Sequence, residues 1–235
     1  MRIASVSWLI SPRALAGFAS LALCANAALA QSFFLQPGAA GTKDTWTFDL
    51  EDFSHGTWGT LQANQADANQ RIFIQFPNLT SITNQVTSAF LGLYRFEAGS
   101  VDPITLDAHA VKEDWANNIS WSTMPGVDAG VAASTQVSGT GATWVEWDIT
   151  VLLNAWLNGS RANYGVAIYD HGSGVYQRFT SSRNETATVP DFINFPRDPA
   201  FRPYIRGEMV PEPSALALIA LGFAAVATRR FRRAA

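Results

Sequence analysis

Four carboxylates, Asp44, Asp49, Glu51 and Asp52, follow one another closely just ahead of the glycine-flanked stretch His55-Gly56-Thr57-Trp58-Gly59. Hard oxygen ligands crowded beside a glycine-rich turn are what a calcium ion takes, so a structural calcium is the first chemistry this sequence suggests. No EF-hand spacing accompanies them, and a solvated acidic edge is the competing reading. The three histidines, His55, His109 and His171, are too far apart to show the i, i+2 or i, i+4 spacing of a metal site. Glu113 and Asp114 are a weak acid–base pair, since neighbours on a strand point to opposite faces. No Gly-x-Ser-x-Gly supports a serine nucleophile.

Tryptophan is the enriched residue. An indole presents a flat apolar face that can stack on the C–H face of a sugar ring, and bordering carboxylate or amide groups can then bond its hydroxyls. Trp58, between glycines in a loop, and Trp144, on the strand face that carries Glu146, are the candidates for carbohydrate binding. Trp46, Trp121, Trp147 and Trp156 lie in phase with aliphatic neighbours and are expected in the core.

The elements that must position these residues read as short strands between turns. Thr45–Leu50 alternates, with Trp46, Phe48 and Leu50 on one face; Arg71–Phe76 follows after a polar loop. Ala89–Phe96 is apolar on both faces, as a central strand of a two-sheet sandwich should be. Ile104–Val111, Trp144–Ile149, Tyr164–Tyr169, Val175–Thr180 and Arg202–Arg206 complete the set. One helix interrupts it: Thr150 is its expected cap, Val151, Leu152, Ala155 and Trp156 its apolar face, and Asn158-Gly159 its stop. Such a helix cannot bury its stripe alone, so Trp156 is expected to anchor it against an open end of the sandwich. The class is all-β, an antiparallel sandwich with one short helix.

Both ends of the chain carry sorting chemistry. Arg2 and Arg13 precede the apolar run Ala14–Leu23, and Ala28-Leu29-Ala30 has the small-x-small form of a signal peptidase site, which places the cut between Ala30 and Gln31. At the other end, Pro211-Glu212-Pro213 leads into the apolar run Ala215–Ala227 and then Arg229, Arg230, Arg232 and Arg233. Thirteen helical residues span about 20 Å, short of the ~30 Å bilayer core, so this tail suits transient membrane association better than a permanent span. The arginines would hold its end in the cytoplasm. The division is therefore 1–30 signal peptide, 31–209 sandwich and 210–235 sorting tail. The single cysteine, Cys24, falls in the signal, which leaves the exported body without a thiol and so without disulfides or a cysteine nucleophile. Setting aside the six arginines and one glutamate of the two terminal segments, the body has 10 basic and 18 acidic residues, a net charge of minus 8. A domain of that sign is a poor ligand for nucleic acid.

The C-terminal order of Pro-Glu-Pro, short apolar run and arginine cluster resembles the PEP-CTERM sorting signal of Gram-negative bacteria. That resemblance implies recognition by a membrane exosortase and delivery to the cell surface or extracellular matrix. The body resembles the DNRLRE domain in Arg71-Ile-Phe-Ile-Gln-Phe76, Ala89-Phe-Leu-Gly-Leu-Tyr94, Glu113-Asp-Trp115 with Ile119-Ser-Trp121, and Val145-Glu-Trp-Asp-Ile-Thr150. Trp156-Leu-Asn-Gly159, Phe179-Thr-Ser-Ser182 and Arg202-Pro-Tyr-Ile205 continue it. Asn117 and Arg183 stand where the family usually has acidic residues, and Pro190–Pro199 looks inserted. The resemblance implies a jelly-roll sandwich similar to carbohydrate-binding modules. Three functions follow as expectations: a non-catalytic surface protein bound to or embedded in extracellular polysaccharide, an adhesion or assembly module that binds no glycan, and a small secreted glycan-active enzyme.

Overall fold

Eleven strands and one helix are built from the alternation that the sequence shows, in a computed structural model that describes residues 30–63, 69–170, 175–185 and 195–210. The signal segment, His171 and the tail with Pro211, Glu212, Pro213 and its arginines lie outside the described residues. The strands are β1 (Gln31–Leu35), β2 (Lys43–Phe48), β3 (Thr60–Ala63), β4 (Gln70–Gln75), β5 (Val86–Ala98) and β6 (Ile104–Ala110). After them come β7 (Ala133–Val137), β8 (Thr143–Asp148), helix α1 (Thr150–Leu157), β9 (Val166–Asp170), β10 (Gln177–Thr180) and β11 (Tyr204–Met209).

Two antiparallel sheets face each other. The first has the order β1-β11-β5-β10-β3, with β8 on the opposite side of β5; the second runs β2-β4-β9-β6-β7. Period-2 alternation sends Trp46, Ile72, Ile74, Leu91, Leu93, Leu106, Val145, Trp147 and Ile168 inward, where they form the main core. β5 is the central strand expected, pairing β11 over Val86–Gly92, β10 over Arg95–Ala98 and β8 over Phe90–Arg95.

The long loop after β6 folds back over the outer face of the second sheet. There Trp115, Val111 and Ile119 bury Phe73 and Ala167 in a second, smaller core, with the Trp115 indole donating to the Tyr164 carbonyl at 2.9 Å. Burial on both faces therefore makes part of this sheet interior.

Three local expectations are corrected. β2 ends at Phe48, where a bridge to Glu51 closes a tight turn and leaves Leu50 69% exposed instead of completing an apolar face. Thr150 does not cap α1; it is its first residue, and its hydroxyl donates to Asp148 at 2.6 Å while accepting from the Ala89 amide at 2.9 Å. The buried residues of α1 are Leu152 and Leu153, whereas Val151 is 83% exposed and Trp156 only half-buried. The helix holds to the start of β5 through Asn154, whose amide bonds both main-chain groups of Val86, at 2.8 and 2.9 Å.

Candidate functional site

Outward-facing residues of the first sheet come from the alternate positions of its strands. On β8 these are Trp144, Glu146 and Asp148; the register sets them opposite Tyr94, Gly92 and Phe90 of β5, and Gly92 and Phe90 opposite Tyr204 and Arg206 of β11. A continuous row of rings results, with Phe34 exposed, Trp144, Tyr94 and Phe201 partly exposed, and Tyr204 buried among them. Ring centroids are 5.2 Å apart for Phe34 and Tyr204, 4.5 Å for Tyr204 and Trp144, 5.4 Å for Trp144 and Tyr94, and 4.1 Å for the stacked Tyr94 and Phe201. It reaches from the edge strand β8 across to the edge strand β1. Beside it a cleft of about 430 Å3 opens between β1 and β11, lined by Ser32, Phe34, Ser88, Phe90, Arg206 and Glu208 among others.

Gly92 makes this surface possible. A Cβ at that position would come within 2.3 Å of the Tyr204 ring, so the ring lies flat over the bare backbone and extends its hydroxyl to the next strand. There it donates to Glu146 Oε1 at 2.6 Å, while Arg206 grips the same carboxylate with Nε and Nη2 at 2.6 and 2.7 Å. The Arg206 guanidinium also lies 5.2 Å from the Phe90 ring. The two bonds from Arg206, and after them the Tyr204 hydroxyl, hold the Glu146 carboxyl below the usual carboxylate range against the opposing effect of burial. Burial first, then Glu146, pushes Tyr204 up to about 12. An aromatic floor with a rigid carboxylate–guanidinium pair in it can stack a sugar ring and bond its hydroxyls.

That pairing has a pH signature. Because the folded pKa of Glu146 is depressed, its contribution is present above the unfolded value of about 4.3 and is lost as pH falls through the folded value. Arg206 is half exposed, which limits the pair to about 1 kcal/mol. Glu146→Gln should therefore melt below the parent at pH 7, with the gap closing towards pH 3; a constant gap between those limits would show that the ion pair is not its source.

Trp58 does not join Trp144. Its indole packs inward, edge-on to Trp46 at 5.7 Å and to His55 at 4.8 Å, and His55 itself stacks on Trp46 at 3.7 Å. Burial pushes the His55 imidazole down, so at neutral pH it is an uncharged member of an aromatic cluster.

The four carboxylates of the calcium expectation are not brought together either. Asp44 shares the parity of Trp46 and points inward, where it accepts from the Ser182 amide at 2.6 Å, the Ser182 hydroxyl at 3.0 Å and the Arg183 guanidinium. Asp49 accepts from Asn69 at 2.6 Å, Glu51 lies 3.4 Å from His55, and Asp52 holds the Ser122 amide and hydroxyl. The turn after Phe48 separates them, and for Asp44 an arginine supplies the positive charge. Among the described residues no group of three or more such side chains is placed to hold a metal ion.

Tyr94, Phe201, Tyr204 and Arg206 were not singled out from sequence. The signal for Tyr94 lay in the strand read as apolar on both faces: Phe90 and Tyr94 alternate with the core residues Leu91 and Leu93, and the second face carries this aromatic row. Trp121, expected in the core, is half-buried with the Arg71 guanidinium 5.2 Å from its ring.

Comparison with known families agrees with these features. The family model for carbohydrate-binding module family 96 matches residues 38–193, more than half the chain, and the PEP-CTERM protein-sorting motif matches residues 210–233. No curated protein matches the chain.

Proposed function

Since the chain belongs to carbohydrate-binding module family 96 and ends in a PEP-CTERM sorting motif, we propose that it is an exported, non-catalytic surface or matrix protein whose first sheet holds polysaccharide. The sorting motif implies exosortase-dependent export and a cell-surface or extracellular location. The observation that carries the binding reading is the row of five rings, Phe34, Tyr204, Trp144, Tyr94 and Phe201, with the Glu146–Arg206 pair set into it. Trp144 and Glu146 are the residues assigned to ligand. Stacking on Trp144 supplies apolar contact, and the fixed donors and acceptors of Arg206, Glu146 and Tyr204 select hydroxyl orientation. The resemblance to DNRLRE domains covers the same stretch and supports the same architecture. Signal peptidase cleavage before Gln31 is consistent with β1 starting at that residue, so the cut would cost the sandwich nothing.

The test is affinity electrophoresis of the exported protein through gels containing the exopolysaccharide of its own host. Wild type should be retarded, and Trp144→Ala should bind about tenfold more weakly while its stability falls by no more than about 1–2 kcal/mol, because Trp144 is half-buried. Equal mobility of wild type and Trp144→Ala in loaded and empty gels would favour an adhesion module without glycan binding. Intact mass of the same sample should show loss of both 1–30 and most of 210–235; chains still ending at Ala235 would refute processing.

A further inference from the structure

The outer face of the second sheet carries a row of its own. Thr47 pairs with Arg71, Asp107 with Tyr169 and Asp107 with Ser134; because Ile72 pairs with Ile168, Arg71 and Tyr169 are the next outward neighbours across β4 and β9. One residue from each of the five strands thus stands in line. The small core under Trp115 covers the adjoining row of Phe73 and Ala167 and reaches this one at Thr47, which is fully buried with its hydroxyl on the Met124 sulfur, and at one side of Tyr169; Arg71, Tyr169 and Asp107 stay partly exposed and Ser134 is exposed.

Arg71 is the unusual member. Its guanidinium lies 5.2 Å from the Trp121 ring centroid and 4.7 Å from that of Tyr169, whose other neighbour, His109, is parallel to it at 4.6 Å. Among the described residues Arg71 makes these ring contacts but no side-chain hydrogen bond or ion pair. Contact with two rings leaves the five N–H donors of this guanidinium without a protein acceptor among the described residues. An arginine needed only to pin the loop would gain more from a carbonyl or carboxylate of that loop. Beyond Tyr169, Asp107 accepts from the Ser134 hydroxyl. A fixed donor edge, an aromatic ring, a carboxylate and a hydroxyl in one line are the groups that hold a hydroxyl-rich sugar chain.

We infer that this row is a second glycan-binding strip and that the protein is a cross-linker of polysaccharide chains. This rests on the polysaccharide reading of the first sheet. The two strips occupy opposite outer faces of a sandwich whose sheets pack about 10 Å apart, so they point in opposite directions and one short segment of polymer cannot fill both. Each molecule then joins two chains, and the joined network gains avidity without any new contact.

The experiment titrates the exported protein calorimetrically with short oligosaccharides from partial hydrolysis of the host exopolysaccharide, then measures the viscosity of the intact polymer. Wild type should take two equivalents and thicken the polymer. Arg71→Gln and Asp107→Asn should each weaken one of the two sites at least tenfold and abolish thickening, while Trp144→Ala weakens the other. Asp107→Asn leaves the Trp121–Arg71–Tyr169 stack intact, so agreement between the two variants separates ligand binding from loss of fold. One equivalent for wild type, abolished by Trp144→Ala, would overturn the inference and leave the first site standing. Two equivalents retained by both Arg71→Gln and Asp107→Asn would also overturn it. No binding by wild type would remove both readings.

Discussion

Trp147→Ala is expected to leave little folded protein. The indole is fully buried, it extends from β8 of one sheet to the other, and its Nε1–H donates to the Leu106 carbonyl on β6 at 2.9 Å. Truncating such a residue costs about 3–5 kcal/mol in lost transfer energy and cavity, and the stranded Leu106 carbonyl adds about 1–3 kcal/mol. Against a total of roughly 5–15 kcal/mol, that is most of the stability of the domain. Trp156→Ala is the informative contrast. Its side chain is half-buried and Leu152 and Leu153 hold the helix, so its cost should be nearer 1–2 kcal/mol than the full value for a core tryptophan. Urea denaturation of both variants decides the matter; a Trp147→Ala midpoint close to that of the parent would mean that the indole does not tie the sheets together.

Arg183→Ala is expected to have the next largest effect. It strips the counter-ion from Asp44, which is 1% exposed and otherwise held by Ser182 alone. Removing one partner of a buried pair typically costs about 3–5 kcal/mol. Burial already pushes the Asp44 carboxyl up, opposed by Arg183, and without the arginine the upward push acts unopposed by any cation. A raised folded pKa gives stability that is present below the unfolded value of about 3.9 and is lost as pH rises through the folded value. The defect of Arg183→Ala should therefore be largest at neutral pH and shrink on acidification, and Asp44→Asn in the Arg183→Ala background should recover part of it. A defect independent of pH and untouched by the second substitution would show that the carboxylate is not the cause.

Period-2 alternation was enough to place most strands, because an inward residue at every second position is a direct imprint of a two-sheet core. It failed where no such imprint exists. β1 and β7 are exposed edge strands with little apolar contrast, and β3 is a buried segment of four residues that includes two polar side chains, Thr60 and Gln62. In the candidate site Trp144 and Glu146 were legible because their face carries polar neighbours. Tyr204 and Arg206 were not, since what brings them to Glu146 is pairing of β11 with β5 across about half the chain. Trp58 misled because flanking glycines mark a loop but do not say whether the ring turns inward. The acidic cluster misled for a related reason: closeness in sequence across a tight turn gave four carboxylates four different partners.

The interior position of β11 has a consequence for the order of events during export. β11 is the last strand of the sandwich in sequence, yet it separates β1, the first, from β5. Until residues 204–209 have emerged, the leading strand lacks its neighbour and the Val86–Gly92 stretch of one flank of β5 stays bare. Closure of the first sheet is thus a long-range event that no shorter nascent fragment can complete, the kind of topology that folds slowly. Within the export that the sorting motif implies, the first sheet can lock only once residues 204–209 are available, and the sorting motif at 210–233 is the next segment in sequence.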